Sequence, residues 1–141
     1  MLGVFARSSG EIHLEVTHSS SRAAIQPLVE ACTSKGCTVN TDEWVAYDKL
    51  PEGGRKRVKV KHSKPNCEYA RDDDADGVRE VHCNSIEGVW TGLRNFLRTF
   101  RGVSKKYLAQ YVAMFEWSHN IKKATAEFIR ALLGCTTIKG T

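Results

Sequence analysis

The chain has no long apolar run. Its longest hydrophobic stretches are only a few residues, too short to span a bilayer, so no membrane association is expected. Met1 to Phe5 carries no basic flank and is too short for a secretory leader, which points to a cytoplasmic protein, nucleoid-associated if bacterial. Proline is scarce, at three residues, and there is no internal repeat or low-complexity tract. The five cysteines (Cys32, Cys37, Cys67, Cys83, Cys135) are odd in number and irregular in spacing. That excludes a disulfide framework and, with no second close pair to match Cys32 and Cys37, argues against structural zinc. Reduced thiols are expected.

What is present is ordinary globular composition: 141 residues, 41% hydrophobic and 26% charged, enough for one domain with a real core. Twenty-one basic residues against sixteen acidic ones leave a net charge of +5, which permits binding to a polyanion without proving it.

Periodicity orders the chain. Residues Val4 to Val16 alternate around Ser8, Ser9 and Gly10, as a β-hairpin with one buried face requires. Ser19 to Ser21 offer caps to a helix with Ile25, Leu28, Val29 and Cys32 on one stripe, stopping near Gly36; Pro27 is expected in its first turns. CTVNT reads as a strand, Trp44 to Leu50 as a short helix ended by Pro51, and RVKVKH as the next strand. From Ser63 to Val81 the chain is polar and acidic, a solvated loop. It is expected to bind no calcium, on the reading that the bidentate glutamate of an EF-hand is absent from its offset and that no spaced D-x-D-x-D-G pattern stands in it, although Asp72, Asp74, Asp76 and Gly77 do have that spacing.

Beyond the loop, Ile86, Val89, Trp90, Leu93, Leu97 and Phe100 step by three and four, an amphipathic helix with Arg94, Arg98 and Arg101 on an adjacent flank. A second helix carries Leu108, Tyr111, Val112 and Phe115, with Ser104 as its cap and basic Lys105 and Lys106 at its start; a third runs from Ala124 to Leu133. The order β-β-α-β-α-β followed by helices predicts a layered α/β domain over residues 1–122 and a C-terminal helix and tail over 123–141.

Two short blocks carry chemistry. Asp42, in TDEWVAY, follows a strand, and Asn84 and Glu87, in HCNSIEGVW, open a long helix three positions apart on one face. Carboxylate and amide oxygens suit hard divalent ions such as Mg2+ or Mn2+, which activate one oxygen and stabilise another in phosphoryl transfer. Arg94 lies seven residues beyond Glu87, placed to meet bound phosphate. Plainer roles exist for each: Asp42 as a helix cap, Asn84 as an N-cap, Glu87 as a complement to the helix dipole. Trp44, Trp90 and Trp117 read as core or interface aromatics rather than base-stacking platforms. The arginines read as a solvated face or as DNA backbone contacts.

Together the blocks resemble a DDE transposase of the insertion-sequence group related to Merlin-type elements. TDEWVAYDKL matches the block of the second acid, the VKHS that ends at Ser63 matches part of a VNHS-like block, and HCNSIEGVWTGLR matches the third, with Cys83 where threonine is usual. The resemblance covers about residues 3 to 120. It implies an RNase H-like mixed sheet with flanking helices, a divalent metal, and cut-and-paste transfer of DNA between transposon ends and target by a self-associating enzyme. It implies Asp42 with Asn84 or Glu87 as catalytic metal ligands, and His62, His82, Arg94, Arg98, Lys105 and Lys106 toward DNA.

The group's first acid sits on a strand ahead of the hairpin, and no VDE-like block stands before Val4. The expectation is therefore a sheet with its first strand missing, exposed edges that favour partner strands, and no strand transfer by the isolated chain. A non-catalytic remnant that binds DNA or pairs with an intact transposase is the alternative reading.

Overall fold

The computed structural model describes residues 1–63 and 67–121. Strands β1 (Leu2–Ala6) and β2 (Glu11–Glu15) form the expected hairpin, antiparallel with Phe5 opposite Ile12 and Gly3 opposite Leu14. Helix α1 (Arg22–Cys32) follows, then β3 (Thr38–Thr41), two 3-10 turns (Val45–Tyr47 and Leu50–Gly53), and β4 (Lys56–Lys59), which pairs in parallel with β3. Two-residue strands β5 (Ala70–Arg71) and β6 (Val81–His82) close the polar loop, and helices α2 (Asn84–Arg98) and α3 (Leu108–Asn120) complete the described chain. The helix expected over Ala124 to Leu133 lies outside the described residues.

The hairpin sits between helical layers. On one face Ile12 and Leu14 of β2 meet Val89 and Leu93 of α2 and Val112 of α3, with Phe5, Ile86, Trp90 and Phe115 packed around them. Gly3 is required here: a Cβ at this position would lie 2.6 Å from the Trp90 ring and 2.9 Å from Ile86, so only glycine lets α2 approach β1. On the other side Leu2 packs with Ile25 and Val29 of α1, Ala46 and Leu50. Ile25 and Val29 are one helical turn apart, which is why a single stripe of α1 is enough to cover this side.

Helix α1 ends without a glycine cap. Its last carbonyls are met instead by Arg55, which is 7% exposed and donates to Glu30 O and Thr33 O at 2.7 Å each. Pro27 is the sixth residue of the helix rather than part of its first turn. Its ring is tolerated because it faces solvent, but the C=O of Ala23 loses its usual donor.

Three features differ from expectation. Among the described residues the strands form three separate two-stranded ladders, not one mixed sheet. Trp44 to Leu50 is not a helix; Pro51 lies within the second 3-10 turn, and the segment is too short to nucleate an α-helix. Tyr107, not Ser104, precedes α3 as its cap.

A groove of about 800 Å3, lined along the full length of β1 and β3, lies between the first two ladders. Register fixes which backbone groups face it. The N–H groups of Ile12 and Leu14 point away from β1, so their partners Phe5 and Gly3 point away from β2. On β3, Thr41 O accepts from Val60 N and Cys37 O from Lys56 N, which turns Thr38 and Asn40 away from β4. The backbone groups of Gly3, Phe5, Thr38 and Asn40 therefore have no strand partner among the described residues.

Candidate functional site

The same groove collects the acidic blocks. Asp42 follows β3 directly and Glu87 lies in the first turn of α2; both line the groove, together with His62, His82 and Cys83. The electrostatics agree with this placement. Burial pushes the Cys83 thiol up, and the negative fields of Asp42 and Glu87 push it further, so one side chain senses both carboxylates. Asn84 is the first residue of α2, exposed, and does not line the groove.

Asp42 is held from behind by a residue that periodicity passes over. Arg57, the only guanidinium on β4, has a side chain just 2% exposed. It donates to Thr41 Oγ1 at 2.8 Å, to Asp42 O at 3.0 Å and to Trp44 O at 3.1 Å, pairs with Asp48, and lies 5.7 Å from the Tyr47 ring centroid. Three of these bonds, from Nε and Nη2, converge on Thr41, Asp42 and Trp44, around the turn that carries Asp42, while Nη1 holds Asp48. The Asp42 side chain accepts the Trp44 N–H at 3.0 Å through Oδ1, a local turn bond, and its Oδ2 has no hydrogen-bond partner among the described residues.

Glu87 projects from α2 with 55% of its side chain exposed, and His62 Nε2 stands 4.0 Å from its Oε1. The VKHS segment after β4 is thus brought against the third block. His82 contributes differently. Its carbonyl accepts from Arg7 at 2.6 Å, and its Nδ1 is buried without a hydrogen-bond partner among the described residues. Burial, helped by the neighbouring Arg7 cation, holds the imidazole below its ordinary value. Arg7 also donates to Glu80 O, so it ties the end of β1 to β6 across the groove mouth. No periodic pattern singles out Arg7 or Arg57. The only sequence signal is an arginine in or just beyond a short strand.

The basic residues lie elsewhere. Arg94 and Arg98 are exposed on α2, their guanidinia donating to Thr91 Oγ1 (3.2 Å) and Asn95 Oδ1 (3.3 Å). Neither has an acidic partner among the described residues, so both keep their charge available. Lys105 and Lys106 are exposed ahead of α3, with Lys106 Nζ 5.5 Å from the Tyr107 ring centroid. Trp90 is part of the core, whereas Trp44 and Trp117 are 49% and 52% exposed.

Fold and site together define an α/β domain in which a strand end and a helix start bring two carboxylates to one groove. The chain belongs to the ISXO2-like transposase domain family, whose sequence profile matches residues 1–120. It is similar to an uncharacterized protein in the transposable element ISH50 of Halobacterium salinarum, with 30% identity over 129 residues. That match covers 90% of this chain and 41% of the longer relative. No solved structure matches. No helix among the described residues is long and apolar enough to cross a membrane.

Proposed function

We propose that this domain carries part of a metal-dependent DNA-cutting centre used in transposition, with Asp42 and Glu87 as its two fixed carboxylates. The observation that carries this reading is their convergence on one groove from blocks forty-five residues apart, counted from 42 to 87. Both offer carboxylate oxygens with no other strong donor, a set that suits a hard divalent ion such as Mg2+ or Mn2+. Such an ion, when bound, activates an attacking oxygen and stabilises the leaving one. The chain's own contribution is positional. Arg57 fixes the Asp42 backbone, His62 steadies Glu87, and Asn84 remains an alternative to Glu87 as the third-block ligand. Arg94, Arg98, Lys105 and Lys106 supply cations to DNA phosphates, with His62 and His82 nearer the cutting point.

The groove also supports an RNase H-like sheet with one more central strand. A strand residue occupies roughly 160 Å3, from a rise of about 3.3 Å, a strand spacing of about 4.8 Å and a layer of about 10 Å. The space between β1 and β3 therefore suits about five residues, and the unpaired groups on both edges suit a strand that bonds on both sides. A strand seated there reaches the Asp42 end of the groove and can bring a further carboxylate. On this reading the chain alone does not cleave DNA, and the same edges serve self-association.

The test uses terminal-repeat DNA with Mg2+ or Mn2+. The purified chain is expected to be inactive. A longer transposase containing the domain is expected to cut, and Asp42→Asn and Glu87→Gln are each expected to lower the rate by about a hundredfold or more. Asn84→Ala, set beside Glu87→Gln, decides which residue of the third block is the ligand. Unchanged cutting in the Asp42 and Glu87 variants overturns the catalytic reading in favour of a DNA-binding or pairing role.

A further inference from the structure

We propose that Glu43 is a positioning residue for the groove: by gripping Ser63 it holds His62 against Glu87 from the same turn that carries Asp42. This role rests on the reading of Asp42 and Glu87 as the carboxylates of a cutting centre. It gives the second acid of the TDEWVAY block a task separate from the first.

The two adjacent acids face different ways. Asp42 lines the groove, whereas Glu43 does not. Both Glu43 oxygens are engaged by one residue: Oε1 accepts the Ser63 hydroxyl at 2.9 Å and Oε2 accepts the Ser63 N–H at 3.1 Å. Two bonds from a charged carboxylate to a single residue fix its orientation as well as its distance. Glu43 therefore serves the segment beyond β4 rather than the groove.

That segment has little else to hold it to the Asp42 turn. The β3–β4 ladder makes its last backbone bond where Val60 N donates to Thr41 O at 2.9 Å, and among the described residues no backbone bond joins residues 42–44 to residues 61–63. Past that point the Glu43–Ser63 pair is the hydrogen-bonded link between the two stretches. His62 immediately precedes Ser63, so its direction follows from where Ser63 is held. It lines the groove with its Nε2 4.0 Å from Glu87 Oε1, and among the described residues no lysine or arginine pairs with Glu87. A path of contacts thus runs from Asp42 through Glu43, Ser63 and His62 to Glu87, anchored at its start by Arg57 on Asp42 O and Trp44 O. This path sets the spacing of the two carboxylates together with the packing of α2. Spacing matters because a displacement of about 1 Å at a reacting centre costs up to about a hundredfold in rate.

NMR of the chain and cutting by a longer transposase containing the domain test this together. In the chain, a nuclear Overhauser contact between the His62 ring and the Glu87 side chain is expected, with a protected Ser63 amide. Glu43→Ala is expected to remove that contact and to speed Ser63 exchange about tenfold or more. The melting temperature is expected to move by about 4 °C at most, because the grip lies at the surface. In the longer enzyme, Glu43→Ala is expected to lower kcat about tenfold and to change KM for terminal-repeat DNA less than about twofold, a split that lost folding or lost DNA binding does not produce. Glu43→Gln keeps one acceptor oxygen and is expected to recover part of both readouts. Adding Ser63→Ala to Glu43→Ala is expected to cost nothing further, since both act through the same bonds. A His62–Glu87 contact that survives Glu43→Ala, or full cutting by that variant where Asp42→Asn is disabled, overturns this proposal alone. Full cutting by Asp42→Asn overturns the reading beneath it.

Discussion

The two outer edges of the β1–β2 hairpin are treated in opposite ways. The edge of β2 is closed by side chains from α3: Asn120 accepts from Ile12 N and donates to Ile12 O, both at 2.8 Å, and Glu116 accepts from Leu14 N at 2.6 Å. Among the described residues the edge of β1 meets nothing comparable, and across the groove β3 presents a matching open side. An unpaired strand edge invites another strand unless it is covered. One edge of this hairpin is covered by α3 and the other is left open, among the described residues, beside the acidic residues, which is why the proposed function puts a partner and the chemistry on the open side.

Neighbouring residues of β3 give the sharpest way to break this comparison. By register Val39 bonds to β4 and packs against the α1 core cluster, while Thr38 points its N–H into the groove. Val39→Pro is expected to destabilise the domain by about 3 kcal/mol or more, through a lost ladder bond and lost packing. Thr38→Pro removes no bond made by the described chain and is expected to cost about 1 kcal/mol or less. Equal losses in urea unfolding mean that the β3 edge is paired after all.

The closed edge gives a smaller effect. Asn120→Ala leaves both polar groups of Ile12 unsatisfied, and Glu116→Ala orphans the Leu14 N–H. Each is expected to cost about 1 to 3 kcal/mol, measured by denaturant unfolding. An effect near zero shows that water replaces these contacts without penalty, and that the two edges do not differ in kind.

How much of this was legible beforehand depends on the kind of interaction. The hairpin, α1, α2 and α3 follow from apolar periodicity because burying one face is what forms them, and that pattern is written residue by residue. The meeting of Asp42 with Glu87 follows from their places at a strand end and a helix start. What periodicity cannot show is a polar side chain that reaches across the fold. Arg55 capping α1, Arg57 behind Asp42, Arg7 on β6 and Glu116 on β2 each act at a distance set by tertiary packing. The mixed α/β class was legible, but one continuous sheet is not formed among the described residues, since a ladder needs a neighbouring strand and periodicity in one strand does not say whether that neighbour is there.

Hydrogen exchange reads the two edges directly, with no substitution. The amides of Ile12 and Leu14 are bonded to α3, and those of Gly3 and Phe5 face the groove. The groove pair is expected to exchange about tenfold faster or more. A peptide or partner that fills the groove slows that pair selectively, whereas comparable protection in the free chain removes the distinction.

The smallest effect concerns protonation at the groove mouth. His82 lies below its ordinary value of 6.5, first because of burial and then because of Arg7. The unfolded chain therefore takes up a proton at higher pH than the folded one, and between the two values stability rises with pH. Above pH 6.5 this histidine has no effect on stability; as pH falls below 6.5 toward the folded value, it progressively favours unfolding. NMR titration is expected to place the His82 transition below the ordinary histidine value of 6.5. Arg7→Gln is expected to raise it only in part, because burial is the larger cause and remains. A full return to the ordinary value in that variant makes charge rather than enclosure the controlling factor, and means that the groove mouth is open to water on this side as well.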